Sequence, residues 1–353
     1  MTESYFQRVA TSTPTRLWIN NPTAVEIGAG LAQGAVGCTT NPSYGGNLLK
    51  REPEYVRGVI AASVAALPGA DVAQVAENVQ ERLVDRITER FADVHQRSGG
   101  LAGYVSIQGS PLEDHDADAI LRAARAATHI APNAAVKVPA TAPGLLALEQ
   151  LVEDGWPTIV TEVFSVAQLI EANERYLKVT ARTGERSPFF MSPITGILGD
   201  HLRKVAARDA IAADPRTLQL AGVALARRCY GVVVERAYPV TLLFGGARSI
   251  DDFTGLVGGP TASTINYSTV EEILALDPPV ETTIEESMPA GVVEELLAKF
   301  PDFRQAWGDV PLSLEDFEEF GPVQHFRGSF VGAWEAMLTA IREARVGAAT
   351  MAS

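Results

Sequence analysis

The chain has 353 residues, 46% of them hydrophobic, and 43 acidic against 29 basic side chains give a formal charge of −14. That acidic surplus, with no long basic run, excludes nucleic acid and anionic membrane surfaces as expected partners. Cys38 and Cys229 make no CxxC or Cys/His metal spacing, the first residues lack a leader pattern, and no apolar run nears the roughly 20 residues of a membrane span, so the expected compartment is the cytoplasm.

Short apolar runs alternate with amphipathic stretches along the chain. Strands are predicted at 16–20, 35–40, 101–108, 134–139, 157–163, 188–192, 239–244 and 262–265. Helical periodicity fills 54–96, with 72–94 its clearest part, and then 116–128, 145–152, 166–180, 213–234, 250–257 and 270–276. Strands alternating with helices imply a parallel sheet, and eight such units match a closed (β/α)8 TIM barrel, with an open doubly wound sheet as the other possibility. Gly28, Gly245 and Gly258 fit neither GxGxxG nor a P-loop, so no nucleotide cofactor is expected. The extra length falls after strand 2 and at the C-terminus. Helices at 290–300, 314–320 and 326–346, joined by a loop at 301–311, form a C-terminal extension from about 285, packed on one barrel domain spanning 1–353.

Chemistry in such a barrel comes from the carboxyl ends of the strands. Polar side chains fall there in succession: Asn20, then Thr39 and Asn41, Ser106 and Gln108, Lys137, Thr161, Ser192 and Arg248. One of these alone reads as a cap or turn residue. A ring of them around a lysine suits a polyhydroxylated carbonyl compound. Lys137 stands in an apolar strand, where desolvation favours the neutral amine and hence attack on a ketone or aldehyde; the ordinary alternative is a lysine whose head snorkels to water.

The run Leu17-Trp-Ile-Asn-Asn, Gly37-Cys-Thr-Thr-Asn-Pro-Ser, Val136-Lys-Val-Pro-Ala-Thr and Pro157-Thr-Ile-Val-Thr-Glu-Val-Phe-Ser-Val-Ala-Gln, followed by Phe189-Phe-Met-Ser, resembles the transaldolase family over about 15–345. That resemblance implies a Schiff-base barrel enzyme, needing no cofactor or metal, that moves a dihydroxyacetone unit between sugar phosphates of the pentose phosphate type. It implies Lys137 as the Schiff-base lysine, Asn41 as a holder of a substrate hydroxyl, Thr161 as a water-positioning residue, Ser192 near the donor chain, and Arg248 as one of two phosphate arginines. Homodimerisation is left open.

Departures from the family pattern lie in the chemistry itself. Asn20 and Gln108 stand where an aspartate and a glutamate are usual, and an amide cannot take a proton at neutral pH. Pro193 replaces the second arginine. Two alternatives follow: a divergent aldolase or transaldolase of a specialised pathway acting on a less phosphorylated carbonyl compound, or a non-catalytic barrel that has kept the lysine. Glu162 is a newcomer beside Thr161. Strand alternation sends it toward the outer helices to an ion pair, and it becomes a relocated general base only if the strand ends or bulges there. The acidic run 113–118 is read as a helix N-terminus rather than a metal site, and His201 as a loop residue.

Overall fold

The computed structural model describes residues 3–127 and 129–352, so the predicted helix end at 128 lies outside the described residues. In it β1 (Arg16–Asn20), β2 (Cys38–Thr39), β3 (Val105–Ile107), β4 (Ala134–Pro139), β5 (Thr158–Val163), β6 (Phe189–Pro193), β7 (Thr241–Phe244) and β8 (Ala262–Ile265) are all parallel and close on themselves in sequence order. The fold is a (β/α)8 barrel. The ladder closes through Arg16 opposite Ala262 and Ile19 opposite Ile265.

Side chains alternate across a strand, so one inward layer fixes the next. Trp18, Tyr104, Ala135, Ile159, Phe190, Leu243 and Ala262 form an apolar plug near the amino-terminal end. The Phe190 ring tilts against Trp18 at 5.6 Å and against Tyr104 at 5.5 Å. Two residues further along the strands stand Asn20, Ser106, Lys137, Thr161, Ser192 and Thr264. The barrel is therefore apolar at its base and polar at its mouth.

Around it run α1 (Tyr5–Ser12), α2 (Ala24–Ala32), α3 (Tyr44–Arg51), α4 (Pro53–Ala66), α5 (Val72–Arg97), α6 (Ala117–Ala127), α7 (Ala142–Glu153), α8 (Val166–Thr183), α9 (Gly196–Arg208), α10 (Pro215–Arg236), α11 (Asp251–Thr254) and α12 (Tyr267–Leu276), then α13 (Val292–Lys299), α14 (Pro301–Trp307) and α15 (Gly321–Ala352). The predicted stretch 54–96 is two helices, broken by the Leu67-Pro-Gly turn before the Asp71–Gln74 capping box of α5. The predicted loop 301–311 contains α14, begun by Pro301 at its first turn, while 314–320 holds only one 3-10 turn. His201 sits in α9, its Nε2 2.6 Å from Asp302 Oδ2, and not in a loop.

The C-terminal helices share the barrel's apolar shell. Phe300, Phe303, Phe320, Phe326 and Phe330 belong to the core of β4–β6, and Trp334, Met337, Leu338 and Ile341 to that of α3–α5. The spacing 330, 334, 337, 338 and 341 is one helical face, and each such burial stabilises by about 1.5–3 kcal/mol. Backbones touch where α15 crosses α3: a Cβ on Gly46 would lie 1.9 Å from the Ala333 carbonyl oxygen. No helix among the described residues is long and apolar enough to cross a membrane.

Candidate active site

A cavity of about 530 Å3 opens at the barrel mouth, with Lys137 in its wall together with Asn20, Thr39, Asn41, Ser192 and Arg248. Lys137 is 7% exposed, and its Nζ lies 3.5 Å from the Thr40 carbonyl oxygen. Burial lowers its pKa to about 8, against the partial restoring pull of Glu162.

The outward direction expected for Glu162 is corrected by the shape of β5. The ladder to β6 slips between Val160 and Val163, and Glu162 takes a φ of 60°. Such a left-handed residue is uncommon away from glycine and persists only when its surroundings hold it. Here Gln168, wholly buried, does the holding. Its Nε2 donates to the Glu162 and Ala140 carbonyl oxygens at 3.1 and 2.8 Å, and its Oε1 accepts from the Phe164 N–H at 2.8 Å. The bulge lets Thr161 keep its inward place and sends Val163 into the outer core, while Gln108 Nε2 donates to Glu162 Oε1 at 3.3 Å. Glu162 has no exposed surface, and burial with the nearby charge of Asp114 raises its pKa to about 7, opposed by Arg327, Lys137 and the Gln108 bond.

Three buried atoms here have no hydrogen-bond partner among the described residues: Gln108 Oε1, Thr161 Oγ1 and Glu162 Oε2. Buried polar atoms are normally paired, so a cluster of orphans beside a buried amine fits a place for water or a substrate hydroxyl.

Other predicted residues are placed differently. Asn20 Oδ1 accepts from Thr39 Oγ1 at 2.9 Å and its Nδ2 donates to Asn266 Oδ1 at 2.9 Å, while Thr39 Oγ1 also meets Thr264 Oγ1 at 2.7 Å. An aspartate at 20 would need the Asn266 amide turned over to donate, whereas Asn20 donates to it and is wired into a β1–β2–β8 network. The described bonds of the Asn41 side chain fall on Oδ1, which accepts from the Ser43 N–H and Oγ at 3.1 and 2.6 Å. Ser106 accepts from the Thr40 N–H at 3.0 Å and donates to its carbonyl at 3.2 Å, joining β2 to β3 and lying outside the cavity lining. Arg248 donates from Nε to Asp200 Oδ2 at 2.9 Å, so its charge already has a partner.

Sequence reasoning missed several cavity residues. Asn266 follows β8 and obeys the same strand-end rule that found the others. Lys50 and Arg51 of α3, and Phe326, Ser329 and Phe330 of α15, also line the cavity and carried no such signal. Asp114, read as part of a helix start, is instead buried against Arg327 of α15, with Arg327 Nε 2.9 Å from Asp114 Oδ2.

The family model for transaldolase/fructose-6-phosphate aldolase matches residues 17–307, short of α15. Similar curated proteins include a transaldolase of Mycolicibacterium smegmatis, 30% identical over 57% of this chain and 55% of that one. A transaldolase of Neisseria meningitidis is 31% identical over 53% of this chain and 59% of its own length. Transaldolase 2 of Nostoc punctiforme is 28% identical over 46% and 44%. The chain thus spans about half the length of the curated relatives it matches. With the closed eight-stranded barrel and the extent of the family match, this protein belongs to the transaldolase/fructose-6-phosphate aldolase family.

Proposed function

We propose that the protein is a transaldolase-type enzyme that makes and breaks carbon–carbon bonds of ketoses through a Schiff base on Lys137. The observation that carries this is the buried Lys137 amine in electrostatic reach of a buried carboxyl, Glu162, which lies among orphaned polar atoms. Neutral Lys137 attacks the ketose carbonyl and water leaves the carbinolamine; the departing hydroxyl takes its proton from Glu162. The iminium then accepts the electron pair of the bond between its α and β carbons, while Glu162, now a carboxylate, takes the proton of the β-hydroxyl through the held water. An aldehyde leaves, and the enamine adds to a second aldehyde (transfer) or is protonated (cleavage). In this reading Glu162 supplies the acid–base function that Gln108 lacks, Gln108 and Thr161 hold the water, and Asn20, Asn41 and Ser192 hold substrate hydroxyls.

The state of Arg248 favours a less phosphorylated substrate. Its guanidinium is paired with Asp200, Pro193 occupies the place of a second arginine, and Arg51 is paired with Glu26. Besides Lys137, Lys50 is the cavity's basic residue with no ion pair among the described residues. Donor panels of fructose, fructose 6-phosphate and dihydroxyacetone, each with borohydride and intact mass, test both parts. An adduct formed as well with the unphosphorylated ketose supports the reading. A tenfold or greater preference for the phosphate would remove the substrate part, and no adduct with any donor would remove the whole.

A further inference from the structure

We propose that Arg327 of the C-terminal helix is a positioning residue for the active site: it ties α15 to Asp114, which lines one cavity with Gln108, the hydrogen-bond partner of Glu162. The inference rests on the role given to Glu162 above, and its carrier is geometric. Phe326 packs edge-on against Phe164 at 5.9 Å, two residues from Glu162, and Phe326 and Phe330 reach the substrate cavity. The next residue, Arg327, reaches Asp114 in the loop after β3.

Its side chain is 12% exposed and that of Asp114 8%, so the pair lies in a medium where charges act strongly. Nε of Arg327 is 2.9 Å from Asp114 Oδ2 and Nη1 is 3.2 Å from Glu318 Oε1. The contact with Asp114 is a charge contact rather than an aligned hydrogen bond, since neither Arg327 Nε nor Asp114 Oδ2 makes one among the described residues. Arg327 Nη2 is also without one.

Gln108 from the end of β3 bonds Glu162, and the charges that act on it are those of Lys137 from β4, Asp114 from the loop after β3, and Arg327 from α15. Asp114 in turn faces Arg327, Glu318 and His115, and burial raises it to about 6. Asp114 and Arg327 thus push Glu162 in opposite directions. Asp114 makes ionisation harder, and Arg327 makes it easier. Because Arg327 arrives on α15, seating this helix would complete both the cavity wall and the electrostatics of the acid–base group.

The test reads the Glu162 carboxyl directly, without substrate, by 13C NMR of the full-length protein labelled in glutamate, with the resonance assigned by its loss in Glu162→Gln. In Asp114→Asn the Glu162 midpoint should fall by roughly half a pH unit or more. In the double variant D114N/R327M it should rise from that D114N value by a similar amount, while D114N/R327K should stay close to D114N. Unchanged midpoints, or shifts of the opposite sign, overturn the proposal. Failure of the Schiff-base reading would show separately, as absent borohydride trapping in wild type.

Discussion

Replacing Glu162 by glutamine should alter the pH dependence of iminium formation in a way no purely structural change would. The reactive pair needs Lys137 neutral and Glu162 protonated, and the two titrate near 8 and 7. Relative to a free lysine at 10.5, burial worth about 2.5 pH units, or about 3.4 kcal/mol, raises the neutral fraction at pH 7 about 300-fold, to roughly a tenth. At pH 7.5 each group is about one-quarter in its reactive form, so roughly one molecule in twenty holds the reactive pair. Single-turnover borohydride trapping in wild type should therefore be bell-shaped with a maximum near pH 7.5, midway between the two values. Glu162→Gln removes the proton donor, so the high-pH limb should vanish and the maximal rate fall by about 10²–10⁴. It also removes the charge that restrains Lys137, so the remaining rise should have its midpoint below 8. A wild-type rate that climbs steadily past pH 9, or a high-pH limb that survives in the variant, would refute this assignment.

Gln168→Leu leaves the Phe164 N–H and the Ala140 and Glu162 carbonyls without their buried partner, and should cost about 3 kcal/mol or more in urea unfolding; a loss below about 1 kcal/mol would mean the bulge holds itself. Gly46→Ala drives a methyl toward the Ala333 carbonyl and should destabilise by about 1–3 kcal/mol, with faster hydrogen exchange over 321–347; unchanged exchange would place the crossing of α3 and α15 further apart. Glu77 is raised to about 7, chiefly by burial and then by Glu113 and Glu81. A folded value above the unfolded one means that its contribution is present below about pH 4.5 and is lost as pH rises through 7. Glu77→Gln should therefore gain about 1–2 kcal/mol on wild type between pH 5 and pH 8, after allowance for partial solvent exposure; a pH-independent difference would contradict it.

The barrel was legible because β-strand and helix periods differ, and each strand ended in turn chemistry. Lys137 was legible because a cation in a run such as Ala134–Pro139 has no local compensation. The direction of Glu162 was not, because a bulge depends on what Gln168 does six residues later and on the register of β6. Asp114 looked like an ordinary acidic helix start, since nothing in 113–118 announces an arginine some two hundred residues away. Helix α9 was missed because its boundaries lack side-chain caps, and Thr195, its N-cap, makes no such bond. Ser106 illustrates the converse: a polar residue at a strand end, correctly placed in the barrel, that is spent on Thr40.

The most direct test is to locate the covalent carbon. Wild-type protein and Lys137→Ala are each incubated at pH 7.5 with dihydroxyacetone and borohydride, digested and mapped by peptide mass. A Schiff base on Lys137 predicts one reduced adduct, on the peptide containing Val136-Lys137-Val138, and none in the variant. An adduct of equal yield in Lys137→Ala, or one confined to surface lysines such as Lys178, would contradict it.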